Sequence, residues 1–193
     1  GNWYPLYDPA WYNGVEILRY WSPFPAYVMA FCQYLAGGSQ FGAYLFYIGG
    51  VCFLGACVWP FIGRGFNRPY LGAFIGLLWF FMPNNLCAIF IEGNLARSLS
   101  MIFLPVFIYS VYKYLYNHKL RYIPLIVFTF LLMELCHLGY AGMVAIAVII
   151  YGIVYIIQKG RKKAVLDVVI SMIFGFMLLG IWLVASLRGG ITS

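Results

Sequence analysis

Six apolar stretches dominate the sequence, at 41–63, 69–91, 97–117, 122–138, 139–158 and 164–187, parted by short charged or Gly/Pro-containing breaks. A bilayer core of about 30 Å takes about 20 helical residues to cross, and each stretch is near that length. Composition agrees: 64% of the 193 residues are hydrophobic, 9% are charged, and the mean hydropathy is +0.88. Soluble domains are roughly half apolar and a quarter charged. The expected fold is all-α, a polytopic membrane helix bundle of about six transmembrane helices plus an outer-leaflet interfacial helix.

The breaks alternate in charge. "GRGFNRP", "YNHKLR" and "QKGRKK" are basic, whereas "EGNLAR", "CHLGYAG" and "LRGGITS" carry little net charge. Basic loops stay in the cytoplasm. That rule puts Arg64, Arg68, Lys113, Lys119, Arg121, Lys159, Arg161, Lys162 and Lys163 inside and leaves Arg19, Arg97 and Arg188 outside. The acidic residues Asp8, Glu16, Glu92 and Glu134 then fall outside, and Asp167 inside. The net charge of +7 is therefore a topology signal, and no nucleic-acid partner is expected.

Residues 24–36, "FPAYVMAFCQYLA", are too short to span, and spanning would invert every later assignment. They are expected to lie as an interfacial helix on the outer leaflet, after an aromatic outer loop over 1–23. The Trp and Tyr residues of that loop suit the membrane–water boundary. A single bent helix over 122–158 is the alternative to two spans there, and the charge rule disfavours it. Together these parts make one membrane domain over 1–193. A start at Gly1, without initiator Met or signal pattern, reads as a piece of a longer protein. The cysteines, Cys32, Cys52, Cys57, Cys87 and Cys136, sit inside apolar stretches and read as small core hydrophobes.

Three breaks bring polar groups to the outer side: Asp8, Glu16 and Arg19; Asn84, Asn85, Glu92, Asn94 and Arg97; Glu134 and His137. Such residues near span ends are either solvated at a rim or paired around a pocket. Pro83 should end or kink the second span, with the neighbouring asparagines serving the freed carbonyls. Asn94 can cap the third span, placing Glu92 and Arg97 at its positive end, where a phosphate would be held or the two would simply pair. Glu134 and His137, spaced i, i+3, are expected to share a helix face. One Glu-x-x-His unit is too little for a two-metal bundle site. His118 reads as a solvated loop residue on the other side.

"YP-x-YDPAWYNG", "RYWSPFPAY", "GRGFNRP", "EGNLARSLSMIFLP" and "LCHLGYAG", in this order, resemble the polytopic GT-C-type glycosyltransferases. Among these the resemblance is to the membrane proteins labelled 6-pyruvoyl-tetrahydropterin synthase-related, and it covers nearly the whole chain. It implies transfer of a sugar from a polyprenyl-phosphate donor at the extracytoplasmic face of a bacterial or archaeal plasma membrane. The partners implied are membrane lipid and a lipid-linked sugar. An outer-loop carboxylate would act as base or metal ligand, and Asp8 or Glu92 would fill that role. In this family the loop acid normally lies ahead of the region matching "GNWYP", and Asp8-Pro9 is also an ordinary turn signal. Arg19, Arg97, Asn94, His137 and Glu134 would contact substrate. Divalent metal is compatible with this reading, but the sequence marks no ligand set and the cofactor is unknown. Pterin chemistry is not implied, because its zinc site takes three histidines and this chain has two.

The sequence lacks H-E-x-x-H, G-x-x-x-x-G-K-[ST], G-x-S-x-G and C-x-x-C, so zinc proteolysis, P-loop hydrolysis and serine hydrolysis have no support. Two readings stand beside glycosyl transfer: a non-catalytic membrane protein binding lipid or envelope partners, and a transporter of lipid or small amphiphiles. The second would need polar groups crossing the midplane, which the apolar stretches do not offer.

Overall fold

A computed structural model of the chain describes residues 22–187, and every regular element among them is helical. Helix α1, Phe24–Leu35, opens on Pro23 and Pro25, whose missing N–H groups would have no helical partner in a first turn. Gly37 and Gly38, at φ +63° and +90°, turn the chain out of it. The Ser39 hydroxyl accepts from the Gly42 amide at 3.1 Å and starts α2, Gln40–Arg64. Helix α3 is Pro69–Phe80, and α4, Pro83–Leu86, continues into a π-helical turn at Cys87–Ile91. The remaining helices are α5, Leu95–Asn117; α6, Tyr122–Cys136; α7, Leu138–Lys159; α8, Lys162–Leu178; and α9, Gly180–Leu187.

Three helices, α2, α5 and α7, are long and apolar enough to cross a membrane. A fourth span is available if α3 and Pro83–Ile91, bent by 56° to each other, count as one. By length and composition the described helices thus supply three spans, or four with the bent pair, where about six were expected. The 15 residues of α6 reach roughly 22 Å at the α-helical rise, short of a full bilayer core. The 164–187 stretch is divided at Leu179 into α8 and α9. The α6–α7 break rules out one continuous helix over 122–158: α7 turns back, so that the Tyr155 hydroxyl donates to the Leu115 carbonyl at 2.5 Å.

Contacts between helix ends define two poles. At one, Tyr44 and Tyr47 of α2 donate to the carbonyls of Ile89 and Leu95 at 3.3 and 2.7 Å, and the Ser22 hydroxyl donates to the Glu134 carbonyl at 3.0 Å. At the other, Lys113 reaches the Gly65 carbonyl at 2.6 Å and Tyr114 reaches Asp167 at 2.6 Å. Between the poles lie two cores. Phe107, Val111, Ile126, Phe130, Met133, Val148 and Met172 join α5 through α8. Tyr47, Val51, Ile89, Leu99, Ile102 and Cys136, with Cys32 of α1, form the second. Cys32 and Cys136 are buried, the other cysteines are half-buried, and all five are free.

The outer surface is as apolar as the core. Only 17% of the apolar window of α2 is buried inside the molecule, and Phe41, Phe53, Ile157 and Ile181 stand well out of it. Apolar surface on that scale is stable against lipid, where helices keep their backbone bonds internal. Without a hydrophobic drive between helices in lipid, close approach through small residues does the work. Gly72 and Gly76 are the buried residues of α3. A Cβ on Gly72 would lie 2.4 Å from the Trp59 carbonyl oxygen and 2.9 Å from the Cα of Gly63. On α2, Gly50 has nothing within 4 Å of that position. Gly72→Ala should therefore lose about 1–3 kcal/mol by overpacking. Gly50→Ala should be neutral or gain up to about 1 kcal/mol, as a helix-interior Gly→Ala change does. Reversible unfolding in mixed micelles checks the contrast, and equal effects at both positions would contradict the packing account.

Candidate functional site

Pro83 cannot donate a backbone hydrogen bond, so the run of helix ends at Phe80 and bends. The carbonyls that lose partners in such a break must find others without water. Asn85 is buried, and its side-chain amide donates to the Trp79 carbonyl at 2.6 Å. The π-helical turn then brings the Glu92 amide to the Cys87 carbonyl and the Asn94 amide to the Ala88 carbonyl, both at 2.9 Å. Gly93, at φ +60°, reverses the chain. The Asn94 side chain accepts from the Arg97 amide at 3.0 Å and caps α5.

This cap places Arg97 in the first turn of α5, facing back over the break. Its guanidinium donates to Glu92 Oε2 at 3.2 Å and to Asn84 Oδ1 at 2.8 Å. The other Glu92 oxygen meets Cys87 Sγ at 3.6 Å. Arg97 is 22% and Glu92 40% exposed in their side chains, so the pair itself contributes less than about 1 kcal/mol. Its effect is positional: a cation with two fixed partners stands at a half-open helix start.

The second polar pair differs from its expected form. Glu134 and His137 do not share a helix face, because α6 ends at Cys136 and His137 is extended, at φ −155°, ψ 95°. His137 Nδ1 accepts from the Tyr140 amide at 3.1 Å and caps α7, which leaves Nε2 as the protonated nitrogen of the neutral ring. Glu134 instead points inward. It is 2% exposed, and its Oε2 has no hydrogen-bond partner among the described residues. A carboxyl oxygen at that depth calls for a donor. Below it, the Ser100 hydroxyl donates to the Met133 carbonyl at 3.2 Å and ties α5 to α6.

Thus Asn84, Glu92, Asn94 and Arg97 form one connected cluster, with Glu134, His137 and Tyr140 at the same pole. Asp8, Glu16 and Arg19 lie outside the described residues. Among the described residues no three His, Cys, Asp or Glu side chains gather as a metal-ligand set. His118, expected as a solvated loop residue, is exposed at the left-handed end of α5, and its Nε2 meets Arg161 Nη1. That contact and Tyr114–Asp167 border a cavity of about 830 Å³ at the basic pole. Sequence reasoning missed this cavity. Its one signal was Asp167, a lone acid among basic neighbours.

The cap, more than the ion pair, should hold this turn together. Asn94→Ala is expected to cost about 1 kcal/mol of unfolding free energy, as N-cap losses do. Glu92→Gln should cost less, the exposed pair being worth under about 1 kcal/mol. A micellar unfolding titration compares them; a larger loss for Glu92→Gln would show that Arg97 is a structural anchor.

No curated protein and no solved structure matches the chain. Residues 18–193 match the family model described as "6-pyruvoyl-tetrahydropterin synthase related domain; membrane protein". The match runs through every helix described, including the Pro83–Arg97 break and the His137 cap, and the chain therefore belongs to this 6-pyruvoyl-tetrahydropterin synthase-related family of membrane proteins.

Proposed function

We propose that the chain is part of a GT-C-like glycosyltransferase, moving a sugar from a polyprenyl-phosphate donor to an acceptor at the extracytoplasmic face. The observation that carries this reading is Arg97, held by Glu92 and Asn84 at the capped start of α5. Inverting transfer needs two things of a protein. A carboxylate takes the acceptor proton as the acceptor oxygen bonds to the anomeric carbon, and positive charge stabilises the polyprenyl phosphate as its bond to that carbon breaks. Glu92 or Asp8 would serve as the base. Arg97, with Arg19, would meet the leaving phosphate, and Asn94, His137 and Glu134 would contact the sugar or acceptor.

In this reading the basic pole faces the cytoplasm, by the positive-inside rule. The short α6 and the α8–α9 pair complete six membrane-embedded segments, with α1 lying at the outer boundary. The site then opens outward in a bacterial or archaeal plasma membrane. A family name that mentions pterin does not change the chemistry: His118 and His137 are the two histidines of the chain and belong to opposite poles.

A second reading, a non-catalytic lipid-binding membrane protein, draws support from Arg97 already having partners for both terminal nitrogens. Proteoliposomes loaded with polyprenyl-phosphate-linked sugars separate the two by release of free polyprenyl phosphate. Glu92→Gln and Arg97→Ala should each lower the rate about 100-fold or more, the scale of a lost acid–base or charge-stabilising group. No turnover by the wild type with intact donor binding would favour the second reading, and turnover unchanged in both variants would overturn the roles given to Glu92 and Arg97.

A further inference from the structure

The cavity at the basic pole lies between the end of α5 and the start of α8, where Tyr114 and Asp167, 53 residues apart in sequence, meet. Its lining has two characters. Arg161, Lys162 and Lys163 are its exposed cations. Leu120, Ile123 and Ile170 make its apolar wall. The acidic group of the lining, Asp167, accepts from the Tyr114 hydroxyl at 2.6 Å, and His118 Nε2 is met by Arg161. Three cations therefore face one carboxylate that is already engaged.

The apolar wall does not close. Ile170 continues along α8 into Ile173 and Phe174, all more than half exposed, and Leu120 is 75% exposed beside it. A groove lined by exposed cations, whose apolar lining residue Ile170 is followed along α8 by exposed Ile173 and Phe174, fits a molecule with an anionic head and an apolar tail. A free anion would leave the wall uncovered, and a zwitterionic lipid would bring no net charge to the lysines. Basic pockets between transmembrane helices are recognised anionic headgroup sites, each Lys or Arg near the surface adding to the attraction.

We propose that this groove is a binding site for the phosphate headgroup of an anionic phospholipid. The headgroup phosphate sits against Arg161, Lys162 and Lys163, and an acyl chain lies along Ile123 and Ile170. The site is separate from the Arg97 cluster and stands whether or not that cluster transfers sugar.

The test uses the full chain in equimolar phosphatidylglycerol and phosphatidylcholine vesicles, with retained lipid measured by native mass spectrometry after detergent release. The wild type should retain phosphatidylglycerol over phosphatidylcholine by at least about tenfold, three basic side chains each contributing attraction. The combined Arg161→Gln, Lys162→Gln and Lys163→Gln variant should lose that preference. Arg64→Gln with Arg68→Gln, exposed at the same pole but outside the groove, should keep it. Equal retention of both lipids by the wild type overturns the proposal, without need of any variant. Equal loss in the Arg64/Arg68 variant overturns the groove in favour of a diffuse basic belt. Displacement of phosphatidylglycerol by millimolar inorganic phosphate overturns the lipid as occupant and assigns the groove to a free anion.

Discussion

A chain this apolar cannot leave a broken helix end to lipid, and that constraint organises the whole molecule. Where a helix stops inside or beside lipid, its freed N–H and C=O groups need partners from the protein. Four of the described breaks supply them from their own polar side chains, and one of these also draws on neighbouring tyrosines. Asn85 serves the Trp79 carbonyl, Asn94 the Arg97 amide, His137 the Tyr140 amide and Ser39 the Gly42 amide. Tyr44 and Tyr47 reach across from α2 to the carbonyls on either side of the π-turn exit. Polar residues are thus concentrated where the helices end, and the helices stay packed as rods between two polar poles.

The same economy creates the chemistry. Asn94 is needed as a cap, and capping fixes the first turn of α5 so that Arg97 meets Glu92 and Asn84. Only one of Arg97's interactions belongs to folding, the amide held by Asn94. Its guanidinium is held at an exposed pair of modest energetic weight, which leaves it able to exchange partners with an incoming anion. At the opposite pole the basic residues are not neutralised. Among the described residues Asp167 is the one acid there, and it is engaged by Tyr114. The molecule therefore presents a balanced, clustered pole and a cationic, grooved one.

Local signals were legible in the sequence and non-local ones were not. Pro83, Asn85 and Asn94 each act on backbone groups within a few residues, so their roles follow from residue type and position alone, and so does the Glu92–Arg97 pair. Glu134 and His137 failed as a helical pair because the i, i+3 rule presumes an unbroken helix, and His137 itself begins the next one. The span count shrank for a related reason: hydropathy does not say where a helix will bend, and it cannot distinguish a short buried helix such as α6 from a full span. The Gly63–Gly72 approach and the groove at Asp167 depend on which helices meet, information carried by the G-x-x-x-G spacing of Gly72 and Gly76 in the first case and hinted at in the second by Asp167 alone, a lone acid among basic neighbours.

The central claim is that the Arg97 cluster and the basic groove face opposite sides of a membrane. It is tested most directly by single-cysteine labelling in sealed, right-side-out vesicles, in a chain whose native cysteines are replaced by alanine. With Glu92→Cys, an impermeant maleimide should react before permeabilisation; with Lys119→Cys, only after it. Labelling of both positions from the same side would contradict the account.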